Sequence, residues 1–194
     1  MIYSEDNNFL FVSNAKAATH TMYAYLTEHY GGRWLTHANN YHPLPQAGDY
    51  PDAYRWSVVR DPFSRAVSAY FGSVVRTEHS EHWRRVIGSP TFVSYCRWLA
   101  SGAWEKQTAQ AVRPQFDRLR SSNLDVVIRF EYLADDFAML PFVDIPIPEL
   151  PALHVGDYGE WSDWYESDGE AADHIRTWAK DDFAEYGYSL EVSR

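Results

Sequence analysis

Trp56-Ser57-Val58-Val59-Arg60-Asp61-Pro62-Phe63-Ser64-Arg65-Ala66-Val67-Ser68-Ala69-Tyr70 decides how this chain folds. An apolar run ends on Arg60. Asp61 then offers a side chain that caps a helix N-terminus, and Pro62 suits the first helical position, where no backbone N–H is needed. Apolar residues recur at 63, 66, 67, 70, 71, 74 and 75, the spacing of one buried helix face. The stretch predicts a strand, Tyr54 to Arg60, that turns directly into a helix. In an open α/β sheet, ligands bind at such carboxyl ends of strands. An arginine there suits an anion, which a guanidinium grips with two parallel hydrogen bonds. Arg65, one helical step on, is expected to pair with a neighbouring acid.

Working outward, Phe9-Leu10-Phe11-Val12 predicts an earlier buried strand. The small, polar turn Ser13 to Thr19 follows it, then a helix from Thr19 to Tyr30 that stops at Gly31-Gly32. Trp34-Leu35-Thr36 reads as another strand, and 37–54, with Pro43, Pro45, Gly48 and Pro51, as a loop. Beyond the central helix, Pro90-Thr91 start a helix carrying Phe92, Tyr95, Cys96 and Leu99. Asp125 to Arg129 is a buried strand, and Glu131 to Leu140 a helix. Residues 141–170 form a long, aromatic-rich connection. A last helix runs from Ala172 to Tyr186, with Ile175, Trp178, Ala179, Phe183 and Tyr186 on one face, and Gly187 ends it. Strands alternating with helices imply a mostly parallel sheet covered on both sides. No repeat, low-complexity tract or linker interrupts the pattern, so residues 1–194 are expected to form one domain.

Bulk properties narrow the function. The chain has 194 residues and 45% hydrophobic ones, enough for a substantial core. Its formal net charge of −10 argues against a general nucleic-acid binder, which carries a basic surface. A local basic pocket for a small anion is compatible with it. Cys96 is the one cysteine, so no internal disulfide forms. The first residues lack a basic and then apolar leader pattern, and no stretch approaches ~18 apolar residues. A soluble, cytoplasmic protein is the expectation.

The turn after the first buried strand is a second candidate anion site. It puts Lys16 and several backbone N–H groups at a helix N-terminus, where the helix dipole favours negative charge. Thr19 and Thr21 add hydroxyls. Lys16 is alternatively a plain solvent-exposed lysine. The G-x-x-x-x-G-K-[ST] phosphate loop is absent. Both turns follow candidate parallel strands and are expected on one edge of the sheet, so one nucleotide with phosphates at two ends would span them. His79 and His82, among Glu78 and Glu81, read as a solvated helix face rather than a metal site.

The pairing of these two turns resembles the sulfotransferases that use 3′-phosphoadenosine 5′-phosphosulfate (PAPS), in particular the carbohydrate-type sulfotransferase family 2. Their 3′-phosphate motif reads V-R-[DN]-P-[WYF]-x-R-[LA]-V-S-x-[YW], and Val59 to Tyr70 follows it nearly residue by residue. Their 5′-phosphosulfate loop reads P-K-[ST]-G-[ST]-[ST]-[SWT], and Phe11 to Thr21 occupies its place. Arg113-Pro114-Gln115, Arg129-Phe130-Glu131-Tyr132-Leu133 and the tail Trp161 to Tyr188 resemble further family elements. The likeness covers roughly 9–190. This chain departs from the family at Ala18, where the loop glycine stands, at His20, in place of Thr or Ser, and at Gly156, in place of Asn.

The resemblance implies a three-layer P-loop-like α/β fold with a central, mostly parallel sheet flanked by helices. It implies that PAPS is the co-substrate, that 3′,5′-ADP (PAP) is the product, and that no metal takes part. Lys16 would contact the phosphosulfate and stabilise the leaving phosphate. The backbone of Ala17, Ala18, Thr19, His20 and Thr21 would bind the 5′-phosphate, and Arg60 and Ser68 the 3′-phosphate. A hydroxyl on a glycan or small molecule would accept the sulfuryl group, and a base must take its proton. His42, ahead of the rigid Pro43-Leu44-Pro45, is the first candidate, His37 the second and His20 the third. Glu131 is expected to brace the strand end through Arg129. Trp161, Trp164 and Tyr165 either line an acceptor cleft or pack a lid. A kinase of similar fold and a non-catalytic nucleotide-binding module are the competing readings.

Overall fold

The computed structural model describes residues 1–35, 50–75, 80–88, 91–144, 150, 156–166 and 169–192. The chain divides into two compact units, each made of two segments. The first holds Met1–Arg60 and Asp117–Val155, and the second Asp61–Phe116 and Gly156–Arg194. Among the described residues, no helix is long and apolar enough to cross a membrane.

The first unit is an α/β structure around a five-stranded mixed sheet. Its strands are β1 (Ile2–Ser4), β2 (Phe9–Phe11), β3 (Arg33–Trp34), β4 (Tyr54–Val59) and β5 (Val126–Arg129), in the order β3-β1-β2-β4-β5. The pairs β2·β4 and β4·β5 are parallel, whereas β1·β2 and β1·β3 are antiparallel. The sheet is therefore mixed rather than mostly parallel. The cause is β1, which three residues are too few to reveal through alternation. Glu5 to Asn8 fold it back on β2 as a hairpin, with Asn8 at φ 47°. Asn tolerates that left-handed backbone better than most residues.

Helix α1 (Thr19–His29) follows β2, and Gly31 at φ 62° turns the chain out of it. A chiral side chain resists that conformation, so glycine suits the exit. Met22, Tyr25 and Leu26 of α1 join Ile2, Phe9, Phe11, Trp56, Val58, Ile128 and Phe137 in one core. Phe137 comes from α6 (numbered in chain order; Leu133–Ala138), and a 3-10 turn, Phe130–Tyr132, precedes it. The turn and the short helix replace the single helix expected over 131–140. Leu10, Val12, Ser57 and Val59, on alternate positions, are also buried, so both faces of the central strands are covered, as apolar runs of this kind require.

The second unit holds the described helices α2 (Pro62–Tyr70), α3 (Ser80–Ile87), α4 (Phe92–Ala100), α7 (Asp163–Glu166), α8 (Gly169–Trp178) and α9 (Lys180–Tyr186); α5 (Gln115–Leu119) straddles the boundary between units. Asp61 caps α2 as its sequence predicts, its Oδ1 accepting the Ser64 N–H at 2.8 Å. The buried stripe holds at Phe63, Ala66, Val67, Tyr70 and Val74, but Val75 is 49% exposed. A π-helical turn over Phe71–Val75 is the reason: its wider turn rotates the stripe away from the core. Thr91 caps α4, and Phe92, Tyr95, Cys96 and Leu99 are buried as expected. The last helix is two. Ala179, at φ −105° and ψ 26°, breaks it, and α9 then carries Asp182 inward.

Candidate functional site

The site grows from the parallel pairing of β2 and β4, whose register sets Phe11 against Trp56. Both strands point the same way, so both exits leave from one edge of the sheet. A row of bonds closes the exits on each other. Val12 N–H donates to the Trp56 carbonyl at 2.9 Å, and Ser57 Oγ to the Val12 carbonyl at 2.7 Å. Asn14 Nδ2 donates to the Val58 carbonyl at 3.0 Å. At the end of the row, Arg60 Nη1 reaches the Lys16 carbonyl at 3.5 Å. Lys16 and Arg60, predicted on separate turns, are thus brought together.

The Lys16 turn is tightly wound. Lys16 and Ala18 both sit in the left-handed region, at φ 69° and 54°. The Asn14 carbonyl accepts the Ala17 N–H at 3.2 Å and the Thr19 hydroxyl at 2.6 Å. Thr19 therefore spends its hydroxyl proton on the turn. No side chain caps α1, and its first turn holds no acid. The first-turn N–H groups of a helix have no acceptor within it, and the positive end of the α1 dipole stands beside Lys16. Thr21 is buried, and His20 is exposed on the same turn. By contrast, Asp61 already occupies the N-terminus of α2. That helix end is already neutralised by its own carboxylate.

The third parallel strand completes the edge. Val59 pairs with Arg129, so the next residues, Arg60 and Phe130, leave side by side. The Arg60 guanidinium carbon lies over the Phe130 ring, 4.4 Å from its centre. Asp136 Oδ2 accepts the Arg129 backbone N–H at 3.0 Å and so fixes the end of β5. Asn14, Ser57, Phe130 and Asp136 all escaped the sequence reading of the site. Ser57, a hydroxyl inside an apolar strand, is the one that carried a signal.

Other predicted residues have structural surroundings. Arg65 is fully buried in the second unit, where Nη2 donates to the Arg113 carbonyl at 2.9 Å and the guanidinium carbon lies 5.4 Å from the centre of the Trp178 ring. Its charge also favours ionised Asp182. Asp182 accepts the backbone N–H groups of Gln115 (2.9 Å) and Phe116 (2.7 Å). Even so, burial pushes the Asp182 carboxyl above its ordinary range. Tyr165 is buried, and its hydroxyl donates to the Phe63 carbonyl at 2.9 Å. Trp164 donates to the Tyr158 carbonyl at 3.0 Å and packs on Tyr70 and Phe92. Both aromatics make packing contacts within the second unit. Ser68 also lies in the second unit. It is the only α2 residue that is not buried.

Gly156 has no room for a side chain. A side chain there would strike the Tyr158 ring, with Phe71 next at 3.5 Å. His37, His42, Glu78 and His79 lie outside the described residues. Among the described residues, no three His, Cys, Asp or Glu side chains gather as a metal site needs. No family model, curated protein or solved structure matches this chain.

Proposed function

We propose that this protein is a PAPS-dependent sulfotransferase, moving a sulfuryl group to a hydroxyl on a glycan or small molecule. The observation that carries the proposal is the meeting of the Lys16 turn and Arg60 on one sheet edge, with Arg60 Nη1 3.5 Å from the Lys16 carbonyl. Two cationic residues just past the ends of neighbouring parallel strands suit a nucleotide that carries phosphates at both ends. The finer fold that goes with this function is three-layer and P-loop-like. The parallel β2-β4-β5 set, with α1 following β2, supports it.

In the proposed reaction the acceptor oxygen attacks sulfur, the bond from sulfur to the bridging oxygen of the 5′-phosphate breaks, and PAP leaves. Negative charge grows on that phosphate as the bond breaks. Lys16, Ala17 and Ala18 of the turn and the first residues of α1, Thr19 to Thr21, meet it with a cation and a dipole already in place. Arg60 takes the 3′-phosphate, to which the resemblance adds Ser68. A base removes the acceptor proton, with His42 first, His37 second and His20 third. Positioning and electrostatics carry such in-line transfers, by analogy with phosphoryl transfer.

Thermal-shift titration with PAP, 5′-AMP and ATP–Mg²⁺ tests the proposal. PAP should stabilise the protein most. A shift with ATP–Mg²⁺ and none with PAP would assign a kinase instead. Arg60→Ala should weaken PAP by at least ~10-fold, the scale of a lost charge-assisted bond, and leave 5′-AMP nearly unchanged. Equal losses for both nucleotides would remove Arg60 from the 3′-phosphate. Turnover of labelled PAPS over a panel of hydroxylated acceptors then separates the enzyme from a binding module, which would hold PAP and transfer nothing.

A further inference from the structure

We infer that Phe130 is a positioning residue for Arg60, holding the guanidinium by its face so that its edge meets the 3′-phosphate. The inference rests on the function proposed above. It starts from register. The parallel ladder pairs Val59 with Arg129, so Arg60 and Phe130 emerge as neighbours from β4 and β5. The guanidinium carbon then lies 4.4 Å from the ring centre, well inside the range at which a cation is drawn to an aromatic face.

The kind of contact matters. All the donors of a guanidinium lie in its plane and point outward. A carboxylate holds a guanidinium through those donors and competes with a phosphate for them. An aromatic face holds it without using any. Phe130 is itself fixed. It packs against the core of the first unit, its 3-10 turn returns the Leu133 N–H to the Phe130 carbonyl, and Asp136 grips the preceding Arg129 amide at 3.0 Å. The ring is a rigid plate, and Arg60 lies between it and the Lys16 carbonyl at 3.5 Å. A long side chain restricted in this way loses less freedom when it binds, so its fork is presented in advance.

The test is calorimetric titration of PAP and 5′-AMP into the wild type, Phe130→Leu, Phe130→Tyr, Arg60→Ala and the double variant Arg60→Ala/Phe130→Leu, with a melting temperature for each. Phe130→Leu should weaken PAP about 5- to 10-fold, the scale of one cation–π contact, and leave 5′-AMP within about twofold. Phe130→Tyr keeps the ring and should keep wild-type affinity. In the Arg60→Ala background, Phe130→Leu should cost nothing more, because Phe130 acts through Arg60. Wild-type PAP affinity in Phe130→Leu overturns the inference. So does an undiminished Phe130→Leu loss in the absence of Arg60, an equal loss for 5′-AMP, or a loss in folded Phe130→Tyr. If Arg60→Ala itself spares PAP, the 3′-phosphate assignment fails, and the inference falls with it.

Discussion

At the scale of single residues, Ala18 shows how the Lys16 turn departs from an easy backbone. It sits at φ 54°, a left-handed conformation that costs a chiral residue about 1 kcal/mol or more. A glycine would adopt it without that cost but would gain freedom in the unfolded chain. The first effect is the larger, so Ala18→Gly should stabilise the protein by about 0.5–1 kcal/mol in urea unfolding. Ala66→Gly, inside the buried α2 helix, should instead lose about 1 kcal/mol. A destabilised Ala18→Gly would mean that the turn gains more from the methyl group than it loses to strain. The sequence flagged Ala18 as an odd residue for its place. Only the backbone shows that it bears the strain.

At the scale of elements, two features of the second unit are testable. Asp61 supplies the cap of α2 through the 2.8 Å bond from Ser64 N–H, so Asp61→Ala should cost about 1 kcal/mol of stability. Asp61→Asn keeps an acceptor and should recover most of it. The second feature is Gly156, whose missing side chain makes room for Tyr158. Gly156→Asn should destabilise by about 1–3 kcal/mol through overpacking. Tyr158→Ala, placed in the same chain, should relieve much of that loss. Additive losses in the double variant would rule out the ring as the obstacle. The cap was legible because it is local: Asp61 and Pro62 stand directly before a helix-spaced apolar run. The π-helical turn that exposes Val75 was not, because an inserted residue per turn leaves the same apolar letters in the same order.

At the scale of the whole molecule, the chain builds each unit from two separated segments, and the crossing at Arg60–Asp61 falls inside the most informative stretch of sequence. No change of composition marks that crossing, which is why no linker is visible. Within the second unit, Asp182 ties α9 to the Gln115 and Phe116 amides. Burial raises its carboxyl pKa above the ordinary value of 3.8, against the opposing pull of Arg65 and those amides. A raised folded-state value means that its linked stability is full below the unfolded-state pKa and is lost as pH rises above it. Asp182→Asn removes the titration. The stability gap between wild type and Asp182→Asn should therefore shift against the wild type as pH rises from about 4 toward neutrality, read as melting temperature across that range. A gap independent of pH would mean that Asp182 titrates normally.

The local grammar of this protein was legible in its residues: the strand that leads to Arg60, which the structure ends one residue earlier at Val59, the capped start of α2, the helix opened by Thr91 and the turn that carries Lys16. Each is set by residues a few positions apart, where propensity, capping and periodicity act. Tertiary structure decided the mixed sheet, the direct approach of Arg60 to the Lys16 carbonyl on the edge the sequence had led one to expect, and the Phe130 ring beside the Arg60 guanidinium. Arg60 and Lys16 are 44 residues apart, and Phe130 is brought to them only by the register of β4 with β5. Strand pairing is settled by which distant apolar faces bury each other, and no short window of sequence records that choice.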